Sequence, residues 1–66
     1  MREMNQRARY WATMVTVRRA IGGHPQVRDI GPASTEEELD VMVAHEWRRA
    51  EAAGFLVCDV RERTEG

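Results

Sequence analysis

The chain has 66 residues, a formal net charge of −1 and one cysteine, Cys58. That length leaves room for a single small domain, residues 1–66, burying only about 60% of the surface its unfolded chain exposes. The single cysteine excludes an internal disulfide, and no stretch approaches the about 18–20 apolar residues of a membrane span.

Residues 1–8 are polar and read as a mobile tail. From Arg9 to Arg19 the content of β-branched and aromatic residues rises, with Tyr10, Trp11, Thr13, Val15, Thr16 and Val17. This composition predicts a strand, because such side chains pack well on a pleated surface. Met4, Ala8, Trp11 and Val15 also fall at helical spacing, which makes a helix the competing assignment. Neither alternating set, Trp11/Thr13/Val15/Val17 or Tyr10/Ala12/Met14/Thr16, is strongly polar, so both faces of the strand look suited to cover. Arg18 and Arg19 follow where a secretory signal would carry small residues, so no signal is read here.

Gly22-Gly23-His24-Pro25 predicts a turn, and Gln26–Gly31 a short second strand with Val27 and Ile30 as its apolar members. The next element is a helix over about Thr35–Ala53. Thr35 and Glu38 have capping-box spacing, Glu36, Glu37 and Glu38 complement the dipole of the first turn, and Gly54 stands where a left-handed cap belongs. Leu39, Met42, Val43, Trp47, Ala50 and Ala53 form one stripe, which predicts Trp47 as a core anchor. After Gly54, Leu56, Cys58 and Val60 alternate with Val57, Asp59 and Arg61, predicting a half-buried strand with Cys58 turned inward. Residues 62–66 read as a second mobile tail.

The expected fold is therefore α+β. A small antiparallel or mixed sheet of two to three strands, in the order strand, short strand, helix, strand, carries one helix on one face. That helix leaves the other face showing either Tyr10, Ala12 and Met14 or Trp11, Val15 and Val17.

The chemistry-bearing residues are few. His24, His45 and Cys58 have no metal-ligand spacing, and Cys58 in an apolar strand reads as an inert thiol. No phosphate-binding glycine loop is present, and Ser34, the only serine, sits at a helix start. Glu46 falls inside the apolar stripe of the helix. There it acts as a functional acid or pairs with Arg18, Arg19 or Arg28. These residues give no catalytic constellation and call for no cofactor, so no enzyme is expected.

Charge is unevenly placed. Residues 1–28 hold six arginines and Glu3, a net +5, and residues 29–47 a net −6. All ten basic residues are arginine, which fits a GC-rich bacterial or phage genome. A lone cysteine suits a reducing, cytoplasmic setting. With no disulfide, a domain this small needs a very good core or a partner. The reading that follows is a non-enzymatic protein–protein interaction module that binds itself as a homodimer or binds another protein. On size alone, a phage- or mobile-element-encoded inhibitor of a host protein would be one such module. Tyr10, Trp11, Met14, Arg18 and Arg19 are its candidate contact residues. The alternative is a regulatory protein that binds nucleic acid through the basic N-terminal strand, with arginines on phosphates and aromatics on bases.

Overall fold

A computed structural model describes residues 8–20 and 22–65. It contains three strands and one helix, in the order β1 (Arg9–Arg18), β2 (Gln26–Ala33), α1 (Glu36–Ala52) and β3 (Phe55–Glu65). The strands form one antiparallel sheet in the order β2-β1-β3, with the first strand central. The fold is α+β, one helix on one sheet. Residues 1–7 of the expected N-terminal tail lie outside the described residues.

The even side chains of β1 point at the helix and the odd ones away from it. Ala12, Met14 and Thr16 are buried, and Ile30, Ala33 and Leu39 complete the core from β2 and α1. Tyr10, Met42, Val43, Val57 and Val60 pack around that centre. The Thr16 hydroxyl is buried without a hydrogen-bond partner among the described residues.

The helix begins and ends as its local sequence dictates. The Glu38 N–H donates to Thr35 Oγ1 at 3.0 Å, and the Ser34 N–H donates to the Glu38 carboxylate at 2.7 Å. At the other end Gly54 has φ +93°, and its carbonyl accepts from the Arg19 N–H at 2.8 Å, tying the helix end to the end of β1.

Trp47 departs from its expected place. It is 39% exposed, with its indole N–H on Glu51 at 3.2 Å, and Leu39 and Ala50 are the buried residues of the helix. At about 100° per residue, Trp47 lies about 80° around the helix from Leu39. A three-stranded sheet is too narrow to cover that flank fully.

Strand β2 continues past its expected end at Gly31 to Ala33. Between the pairs Tyr10↔Ala33 and Ala12↔Ile30, β2 has one residue more than β1, a bulge at Gly31-Pro32 joined by a cis peptide bond. Proline is tolerated because β2 is an edge strand. Gly31 has φ +129°, and a Cβ there would stand 2.8 Å from the Tyr10 carbonyl oxygen and 3.1 Å from the Trp11 ring.

Strand β3 differs from expectation in two ways. Thr16 pairs with Val57 and Val15 with Asp59, so Cys58 is the extra residue of a second bulge. The bulge breaks the period of two. Val57 and Val60 reach the helix side, whereas Leu56 and Cys58 are exposed. Residues 62–65 are not a tail. They continue the ladder, with Glu62 opposite Ala12 and Glu65 opposite Arg9.

Candidate interaction surfaces

Two surfaces of the domain stand out, the sheet face away from the helix and the groove where the helix overhangs β2. On the first, cross-strand partners share a side of the sheet. Val17 pairs with Leu56 and Val15 with Val27, and Val15 and Val17 are alternate residues of one strand. The four side chains therefore form a continuous apolar strip. Val27 is 66% exposed and Leu56 47%, and no second layer covers them among the described residues.

Beyond this strip the same face becomes polar and internally paired. The Arg63 guanidinium donates to Thr13 Oγ1 at 2.9 Å and lies 3.7 Å from Asp29. Thr13 donates to Asp29 at 3.2 Å, and Arg61 bonds Asp59 at 2.9 Å. Arg63 also covers Trp11, whose buried indole N–H has no partner among the described residues. The Arg61, Arg63, Asp29 and Asp59 charges of this face are thus neutralised in place.

The second surface lies along β2. A groove of about 560 Å³ runs between Gln26–Gly31 and the helix residues Met42 and Glu46. A hollow of about 310 Å³ adjoins it, walled by Val41, His45 and Arg48 and sharing Ile30, Met42 and Glu46. Glu46 is an ion-pair residue here. It accepts from Arg28 at 3.2 Å and has Arg49 at 3.8 Å, so the carboxylate inside the helical stripe is held by guanidinium groups on both sides.

The candidate contact residues are dispersed. Trp11 is half-buried on the outer face. Tyr10 is half-buried on the helix side, against the core. Met14 is fully enclosed beneath the helix, which corrects its expected role as a contact. Its even position on β1 puts it on the covered side. Arg18 and Arg19 are exposed at the end of β1, with Arg18 over the Phe55 ring at 5.2 Å. Val27 and Leu56 were missed as surface residues. Their neighbours in sequence did not reveal which side of the sheet they would take.

One acidic group is perturbed. Glu62 on β3 faces the helix near Asp40 and Glu36. Partial desolvation, a hydrogen bond to Asp40 and the charges of Asp40 and Glu36 push its carboxyl above the ordinary value, although the side chain is exposed. Among the described residues, no three His, Cys, Asp or Glu side chains are grouped to hold a metal. No helix among them is long and apolar enough to cross a membrane.

Compared with protein-family models, with curated proteins and with solved structures, the chain has no match.

Proposed function

We propose that the chain is a non-enzymatic protein–protein interaction module that docks through the outer face of its sheet, first of all on a second copy of itself. The observation that supports this reading is the Val15, Val17, Val27 and Leu56 strip, apolar, continuous and uncovered among the described residues. Burying the exposed parts of Val27 and Leu56 would contribute about 1–2 kcal/mol each. A two-fold contact sets a patch against itself. Arg61 and Arg63 on this face are already held by Asp59 and Asp29, so these four charges enter such a contact as pairs. The single cysteine suits a reducing, cytoplasmic setting. The finer reading, an inhibitor encoded by a phage or mobile element, rests on chain size alone.

The nucleic-acid reading has less support. Arg28 is engaged by Glu46, Arg61 by Asp59 and Arg63 by Asp29 and Glu65. Of the N-terminal strand's own arginines, Arg9 stands at one end of β1 and Arg18 and Arg19 at the other, so they do not line up as one open phosphate-binding stripe.

Sedimentation of the intact chain beside Leu56→Asp and Val41→Asp tests the proposal. The wild type and the helix variant Val41→Asp are expected to associate alike, and Leu56→Asp to run as a folded monomer. Equal association of all three chains would place the contact elsewhere.

A further inference from the structure

The groove along β2 carries an inference independent of the sheet face. We infer that it is a strand-docking site, and that its occupant is an extended segment of another protein with alternating apolar side chains and at least one carboxylate.

The argument starts from the sheet order. β2 is an edge strand, so one side of its backbone has no partner strand among the described residues. Unpaired N–H and C=O groups on a sheet edge form a template for a further strand. Strand addition draws affinity from main-chain hydrogen bonds and specificity from sockets that take every second side chain. Both requirements meet here. The edge of Gln26–Gly31 runs beside the groove, whose floor is Ile30 and Met42, and the adjoining hollow opens beside Val41, which is 69% exposed.

The edge also sets the length of the occupant. Pro32 has no N–H to donate, and the bulge at Gly31-Pro32 breaks the ladder. The regular edge is therefore Gln26–Gly31, which at about 3.3 Å per residue spans about 20 Å.

Charge selects the chemistry. Arg28 and Arg49 share the single carboxylate of Glu46, and Arg48 has no ion-pair partner among the described residues. Asp29 is turned to the other face, where Thr13 and Arg63 engage it. Guanidinium groups thus outnumber carboxylates around the groove, which favours an acidic occupant. A second copy fits poorly. An antiparallel β2–β2 contact centred on the middle of this edge sets Arg28 against Arg28 or Asp29 against Asp29, and like charges directly opposite destabilise a ladder.

The test is selection of 12-residue phage-displayed peptides on the intact chain, followed by fluorescence-polarisation titration of the enriched peptides. The expected peptides alternate apolar residues with Asp or Glu. Val41→Asp weakens them at least tenfold, Leu56→Asp less than twofold, and their binding slows amide exchange within Gln26–Gly31. Circular dichroism verifies that both variants are folded. Absence of enrichment, peptides with helical spacing or basic character, binding indifferent to Val41→Asp, or unprotected β2 amides would each overturn the inference. So would a dimer that Val41→Asp alone converts to monomer, because the groove would then hold a second copy. Failure of the sheet-face reading shows separately, in the sedimentation of Leu56→Asp.

Discussion

Arg63 of β3 lays its guanidinium over Trp11 of β1, 5.3 Å from the ring centroid, and reaches Thr13 Oγ1 at 2.9 Å. One side chain from the last strand thereby fixes two residues of the first across the outer face. Arg63→Ala is expected to destabilise the domain by about 1 kcal/mol. Most of this is the cation–π contact and the hydrogen bond, while the solvent-screened pair with Asp29 adds little. Urea denaturation measures the loss. An unchanged midpoint would mean that Arg63 does not hold Trp11 in solution.

Leu39 and Trp47 should separate sharply. Leu39 is 1% exposed at the centre of the core, and truncation to Ala typically costs about 2–5 kcal/mol. A domain this small has little more in total, so Leu39→Ala is expected to unfold it. Trp47→Ala is expected to lower the melting temperature and leave a cooperative transition. Thermal melts followed by circular dichroism decide the order, and the reverse ranking would contradict the placement of the helix.

The buried hydroxyl of Thr16, without a partner among the described residues, costs stability. Thr16→Val replaces it with a methyl group of similar size, and is expected to raise stability by about 1 kcal/mol. A lower unfolding midpoint for the variant would show that the hydroxyl has a partner in solution.

Glu62 links stability to pH. Its folded carboxyl holds a proton to higher pH than an unstructured Glu does. The stability tied to the protonated form is complete below the ordinary Glu range and is lost as pH rises through the raised folded value. Glu62→Gln should therefore stabilise the chain more at about pH 7 than at about pH 4, on either side of that range. Urea titrations of both chains at the two pH values test this. The same difference at both would remove the linkage.

The parts of this fold that were legible in the sequence are those fixed by local chemistry. Thr35, Glu38 and Gly54 mark the helix because capping and positive φ are properties of a few adjacent residues. The central strand was legible from its β-branched and aromatic run, but not the side it buries, since both of its faces are apolar. Three features had no local signal. The bulge at Cys58 follows from pairing with β1 and is marked by no glycine or proline, so Leu56 and Val57 exchanged the sides that a period of two assigns. Residues 62–65 resemble a polar tail because their partners are Arg9, Tyr10, Trp11 and Ala12, at least 50 positions away in sequence. Trp47 sits on the helical stripe, but its exposure depends on the width of the sheet beneath, which a helical wheel does not contain. The candidate surfaces share this limit. Val27 and Leu56 become one strip only through Val15 and Val17, and Glu46 meets Arg28 only once the helix lies over β2.

The central claim is that the outer face of the sheet is covered by a second copy. Size exclusion coupled to light scattering measures it directly on the wild-type chain. A contact of ordinary size would bury about 800 Å² per subunit, a large share of a total surface of 4910 Å². The expected result is twice the 7.6 kDa chain mass at micromolar concentration, with stability that falls on dilution. A well-folded species of single-chain mass at high micromolar concentration, with stability independent of concentration, would contradict it.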